Sequence, residues 1–137
     1  MTVETTELSL PSRIETVATA AAAVAEFVSR SGVSEDAAFG IDMAVREAVT
    51  NAVVHGNSQD ERKAVDITLK SSPEAVEISV HDQGRGFNPN EVPDPTAEEN
   101  LLKTSGRGIF FMRSFMDEVH WFLPPEGGTT VRMLKRR

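Results

Sequence analysis

Apolar side chains recur at helical spacing early in the chain, at Ile14, Val17, Ala21, Val24 and Val28. That period predicts a helix from about Arg13 to Ser31, closed by Gly32. Before it, Glu7 to Leu10 predicts a short strand stopped by Pro11. A second helix is predicted from Ser34, whose hydroxyl suits an N-cap, with Glu35 and Asp36 in its first turn. It runs to about His55 and ends at Gly56-Asn57. Val45, Val49 and Val53 form a stripe on it that can pack against a sheet. Beyond the polar connection Glu61 to Ala64 the period changes to two. Val65, Ile67 and Leu69 alternate in one strand, and Val76, Ile78 and Val80 in a second that ends at Asp82; Ser71-Ser72-Pro73-Glu74 is the hairpin between them. From Gly84 to Ser105 roughly twenty residues carry no strong period, a length that in a compact domain is uncommon and often functional. A short helix follows Gly106-Arg107-Gly108. Two last strands, Glu118 to Leu123 and Thr129 to Lys135, flank the turn Pro124 to Gly128. Helices and strands in this order predict an α+β two-layer sandwich, with helices on one face of a mainly antiparallel sheet.

Composition narrows the function classes. A chain of 137 residues suits one domain, residues 1–137, with one core. A net charge of -7 argues against nucleic acid and anionic membrane as partners. The absence of cysteine excludes disulfides, thiolate metal sites and cysteine nucleophiles, and fits a cytoplasmic location. The acidic start, Met1 to Glu7, has no apolar run of a signal peptide, and Val17 to Val28 is too short to span a bilayer. His55, His81 and His120 fall on separate elements, so they form no metal site.

The candidate chemistry begins at Asp82. It continues the parity of Val76, Ile78 and Val80, which places a carboxylate on the apolar face of a strand end. Such a group needs donors. Gly84 and Gly86 follow at once and permit close approach by a ligand. An inward acceptor at an open turn suits a flat ligand with an amino group, such as adenine; the alternative is an Asp-initiated turn in which Asp82 binds its own backbone. In Glu47-Ala-Val-Thr-Asn51 the i, i+4 spacing puts a carboxylate and an amide on one helix face, and His55 extends the stripe. The pair could hold a general base beside an Mg²⁺ ligand, or be an ordinary solvated face. Ser105-Gly106-Arg107-Gly108 opens a helix whose free N–H groups suit phosphates. It is neither a Walker P-loop nor a dinucleotide fingerprint. In Gly128-Thr129-Thr130-Val131, Thr129 shares parity with Val131 and Met133 and is expected inward. Thr130 shares parity with both Arg132 and Leu134, and is carried as a further candidate.

The order and roles of these motifs resemble the ATP-binding domain of the gyrase, Hsp90, histidine kinase and MutL (GHKL) superfamily. Glu47-x-x-x-Asn51 looks like its N box, Asp82-x-Gly84-x-Gly86 its first glycine box, Gly106-Arg107-Gly108 its second, and Gly128-Thr129 its closing Gly-Thr. The resemblance implies the Bergerat fold, with a mixed, mainly antiparallel sheet. It implies ATP and Mg²⁺ as cofactors, Asp82 on the adenine amino group, Asn51 on Mg²⁺ and an ATP lid over residues 88–105. The nucleotide-binding set it suggests is Asn51, His55, Asp82, Gly84, Gly86, Ser105, Gly106, Arg107, Gly108, Thr129 and Thr130.

Within the superfamily, Met43 to Gly56 and Gly108 to Val119 resemble the serine-kinase anti-sigma factors of bacteria. These proteins sequester a sigma factor and phosphorylate a serine on a small STAS-type antagonist, and homodimerisation is implied by the same resemblance. A serine hydroxyl is a poor nucleophile and gains from a base, for which Glu47 is the candidate catalytic residue. Glu47 could equally activate water, but hydrolases of the superfamily are larger, multidomain machines. Two other readings stand beside the serine kinase. One is a regulator that binds its partner under ATP control without chemistry. The other is a detached histidine-kinase catalytic domain.

Overall fold

A computed structural model of the chain describes residues 3–84, 108–125 and 127–136. The first strand, β1 (Glu4–Pro11), leads into helix α1 (Glu15–Ser31). Helix α2 (Glu35–Thr50) follows and passes without a break into a π-helical turn, Asn51–Gly56. Strands β2 (Ala64–Ser71) and β3 (Ala75–Asp82) form the hairpin. Helix α3 (Gly108–Phe115) and strands β4 (Glu118–Phe122) and β5 (Thr129–Arg136) complete the order. The sheet runs β1-β2-β3-β5-β4. Every pairing among the described residues is antiparallel, so the parallel pair allowed for by a mixed sheet is not found among them.

Local chemistry accounts for the boundaries. Gly32 closes α1 in the left-handed conformation, φ 72°, where a side chain would be strained. Ser34 caps α2 as expected, its Oγ accepting the Ala37 N–H at 3.1 Å. Strand β1 begins earlier than expected and includes Pro11, which pairs with Ala64. Proline is tolerated there because β1 is an edge strand.

The layers meet through one apolar core. Val45, Val49 and Val53 are fully buried, as their stripe predicted, and pack with Ile67, Leu69, Ile78, Val80 and Met133 from the sheet. Phe27 and Val24 of α1 and Met112 of α3 join the same cluster. Ile14 is the exception in the first stripe, being 52% exposed just ahead of α1. In cross-strand register Ile67 faces Val80, and Val80 faces Val131, so the apolar parity of three strands lies on the helix side. The end of β3 meets the π turn at one edge of this core, with the start of β5 paired beside it.

Candidate functional site

Three segments converge there: the end of α2, the end of β3 and the start of β5. Glu47 and Asn51 lie one turn apart on α2 and its extension, both half-buried. No hydrogen bond engages the Asn51 amide among the described residues. Burial pushes the Glu47 carboxyl up from its ordinary pKa, opposed by the charge of His55, which is itself exposed. After Thr50 the helix widens. The Asn57 N–H reaches the Ala52 carbonyl at 2.8 Å, five residues back, the spacing of a π turn. Such single turns recur at functional sites, because the added residue redirects the helix end.

That end meets Asp82. A Cβ on Gly56 would collide with the Asp82 carboxyl carbon and Oδ2, so only glycine lets the helix end lie against this carboxylate. Asp82 is 8% exposed and sits on the helix side of the sheet. Its register partner is Thr129, two residues along from the Val80–Val131 pair, so Thr129 shares that face. Asp82 Oδ1 accepts the Gly84 N–H at 2.9 Å. The turn reading of Asp82 is therefore realised in one oxygen, while the side chain as a whole faces inward as its parity predicted. Burial raises the Asp82 pKa; the Gly84 and Thr129 backbone N–H groups, and then the charges of His81 and Lys63, pull the other way. Gly128, at φ 77°, turns the chain into β5 directly beside the Asp82 carbonyl.

One candidate is not brought to this site. Thr130 pairs with His81 across the sheet, and its Oγ1 lies 2.9 Å from His81 Nδ1 on the face away from the helices. Strand alternation decides the matter: if Thr129 faces the core, its neighbour cannot. His81, next to Asp82 on β3, points to the same outer face. Gly108 starts α3. Gly86, Ser105, Gly106 and Arg107, with the segment 88–105, lie outside the described residues.

Two residues of the site carried no chemistry in the sequence reading. Gly56 was only a helix stop there. Asn57 was too, yet it is fully buried and its amide spans three elements. Nδ2 donates to Ser12 Oγ at 2.6 Å and to the Ala64 carbonyl at 3.0 Å, while Oδ1 accepts the Gln83 N–H at 2.7 Å. Nothing local in one sequence signals contacts 45 and 26 residues away.

Among the described residues no group of three or more His, Asp or Glu could hold a metal ion by itself. An unengaged amide oxygen such as that of Asn51 fits Mg²⁺ differently, as one protein ligand to an ion otherwise held by phosphate and water. The sequence matches the family model of the histidine kinase-like ATPase domain over residues 10–135. The chain belongs to that family. As a histidine kinase-like ATPase domain it falls among ATP-binding proteins, and its α+β fold with helices on an antiparallel sheet is the one expected. An anti-sigma F factor of Oceanobacillus iheyensis is 33% identical over 131 residues, covering 94% of this chain and 90% of that protein. Another, from Anoxybacillus flavithermus, is 35% identical over 114 residues, 82% of this chain and 78% of the relative. A crystal structure of the RsbU and RsbW domains of a Mycobacterium tuberculosis protein shares the fold, with a TM-score of 0.71 and 21% identity over 97% of this chain and 32% of the other.

Proposed function

We propose that this histidine kinase-like ATPase domain is an anti-sigma protein serine kinase. It sequesters a sigma factor and phosphorylates a serine of a STAS-domain antagonist. The observation that carries the reading is Glu47: a half-buried carboxyl with a raised pKa, one turn ahead of an amide that no described residue engages, on the helix whose far end abuts a buried carboxylate. The relatives named anti-sigma F factor, matched over most of both chains, support the same reading.

In this assignment Asp82 accepts from the adenine amino group. Asn51 contributes its amide oxygen to Mg²⁺, which when bound neutralises phosphate charge. Thr129 and Gly84 line the nucleotide, and Gly86 and residues 105–108 are assigned to its binding. Glu47 holds the partner's serine hydroxyl and removes its proton. The serine oxygen then bonds to the γ-phosphorus as the bridging bond to the β-phosphate oxygen breaks, giving phosphoserine and ADP with the proton on Glu47. A raised pKa suits that role, because a more basic carboxylate accepts the proton more readily. The protein works as a homodimer in the cytoplasm.

The test is transfer of labelled phosphate from ATP to a STAS-domain protein, with Glu47→Gln beside the native chain. The variant is expected to bind ATP with native affinity and to lose transfer by about 10²- to 10⁴-fold, the usual contribution of a general base. Acid-stable phosphate on the partner is expected. Acid-labile phosphate would point to histidine transfer, and full activity of the variant would remove Glu47 from the mechanism.

A further inference from the structure

Asn57 bonds to three polar groups at the end of the sheet, and one of them adjoins Asp82. The carbonyl of Ala64 lies opposite Pro11, which has no N–H to offer, and Asn57 Nδ2 donates to it instead. The second Nδ2 proton goes to Ser12 Oγ, whose own hydroxyl donates to the Lys63 carbonyl at 2.7 Å. With both donors committed, the amide can turn only one way, and Oδ1 faces the Gln83 N–H. Gln83 is held a second time, since its Oε1 accepts the Ala64 N–H at 2.6 Å.

The same residue closes the π turn through its backbone N–H to Ala52, one residue after Gly56. Asn57 therefore ties together the two surfaces that enclose Asp82. Through its main chain it sets where Gly56 lies, and through Oδ1 it sets where β3 ends. Both Gly56 and the turn from Asp82 to Gly84 abut that carboxylate.

We infer that Asn57 is a positioning residue for base recognition: by holding the Gln83 N–H it fixes the direction in which the Asp82 carboxylate meets the purine. The inference rests on Asp82 as the adenine acceptor and adds how that acceptor is aimed. With the carboxylate swung out of line, the rest of the site still binds the phosphates of any nucleoside triphosphate, but the site distinguishes a 6-amino purine from a 6-oxo purine poorly. The ratio of ATP to inosine triphosphate affinity is therefore the readout that separates this role from a purely structural one.

The experiment measures Kd for ATP and for inosine triphosphate with the full chain, its Asp82→Asn form, Asn57→Ala and Asn57→Asp. Asn57→Asp retains an acceptor for the Gln83 N–H, and its added charge weighs equally on two nucleotides of equal charge. Asn57→Ala is expected to lower the ATP preference about tenfold, the scale of one lost hydrogen bond, while Asn57→Asp keeps it within about twofold even where its melting temperature falls. A folded Asn57→Ala with native preference overturns the inference and leaves Asn57 a purely structural residue. So does a folded Asn57→Asp whose preference drops to that of Asn57→Ala. Should Asn57→Ala not fold, Asn57→Asp decides alone: native preference supports the inference, and preference reduced to the Asp82→Asn level overturns it. If Asp82→Asn itself keeps the native preference, the adenine assignment fails first and the role of Asn57 falls with it.

Discussion

Replacing Asp82 by asparagine separates recognition from folding in one substitution. The amide keeps a carbonyl oxygen for the Gly84 N–H, so the local turn persists. It exchanges the other oxygen, beside Gly56, for an NH₂ group. Against an adenine amino group this sets donor against donor and removes a charged acceptor. A hydrogen bond to a charged group contributes about 1.5–3 kcal/mol, so ATP affinity is expected to fall about 10- to 150-fold. Stability moves the other way. Burial raises the folded-state pKa of Asp82 above its unfolded value, so the native state favours the protonated acid. The stability this supplies is present at low pH and is lost as pH rises through the folded pKa. At neutral pH the ionised group opposes folding, and its neutral replacement is expected to melt at or above the native temperature without ligand. Calorimetric titration with ATP and a thermal melt of the free protein give the two numbers. Unchanged ATP affinity would refute the recognition argument and leave Asp82 as the residue of a turn. A fall in both quantities would refute the claim that the two are separable here.

Two further outcomes follow from the same geometry. Gly56→Ala places a methyl group into the Asp82 carboxyl, and forcing a group into a packed site costs about 1–3 kcal/mol, so urea unfolding should show that loss together with weakened ATP binding. A native midpoint would mean that the helix end does not abut Asp82 in solution. For Glu47, phosphoryl transfer should rise with pH as the carboxyl ionises, with the rising limb displaced above the ordinary glutamate range by burial. Rate measurements across the acid range check this, and a limb that persists in Glu47→Gln assigns it to another group.

Much of the fold was legible because its periods are clean. The alternation in β2 and β3 fixed their inward faces, and the same parity carried Asp82 and Thr129 to the site. Ser34 and Gly32 marked helix ends through chemistry that acts within four residues. What escaped the sequence acts over longer distances. The π turn looks helical from its residues, since Val49 and Val53 keep α spacing; the widening shows only where Asn57 bonds back to Ala52. Asn57 itself is fixed by Ser12, Ala64 and Gln83, which are brought together only by the sheet. Thr130 was ambiguous because Arg132 and Leu134 share its parity, and the register with His81 resolves it. Strand β1 extends back to Glu4 because its first residues, Glu4 and Thr5, are exposed on an edge strand and need no apolar alternation there.

The sheet order has a bearing on biosynthesis. Strand β5 inserts between β3 and β4 rather than adding to an edge, and the partner of Asp82 is Thr129, at its first residue. A ribosome-bound chain that has exposed every element through β4 still lacks one wall beside Asp82. With Asp82 as the proposed adenine acceptor, nucleotide is not expected to act as an early scaffold for the nascent domain. It can only reward, by mass action, a sheet into which the late strand has already threaded. On that assignment, any stabilisation by ATP during synthesis is expected at the final docking step and not at the initial collapse.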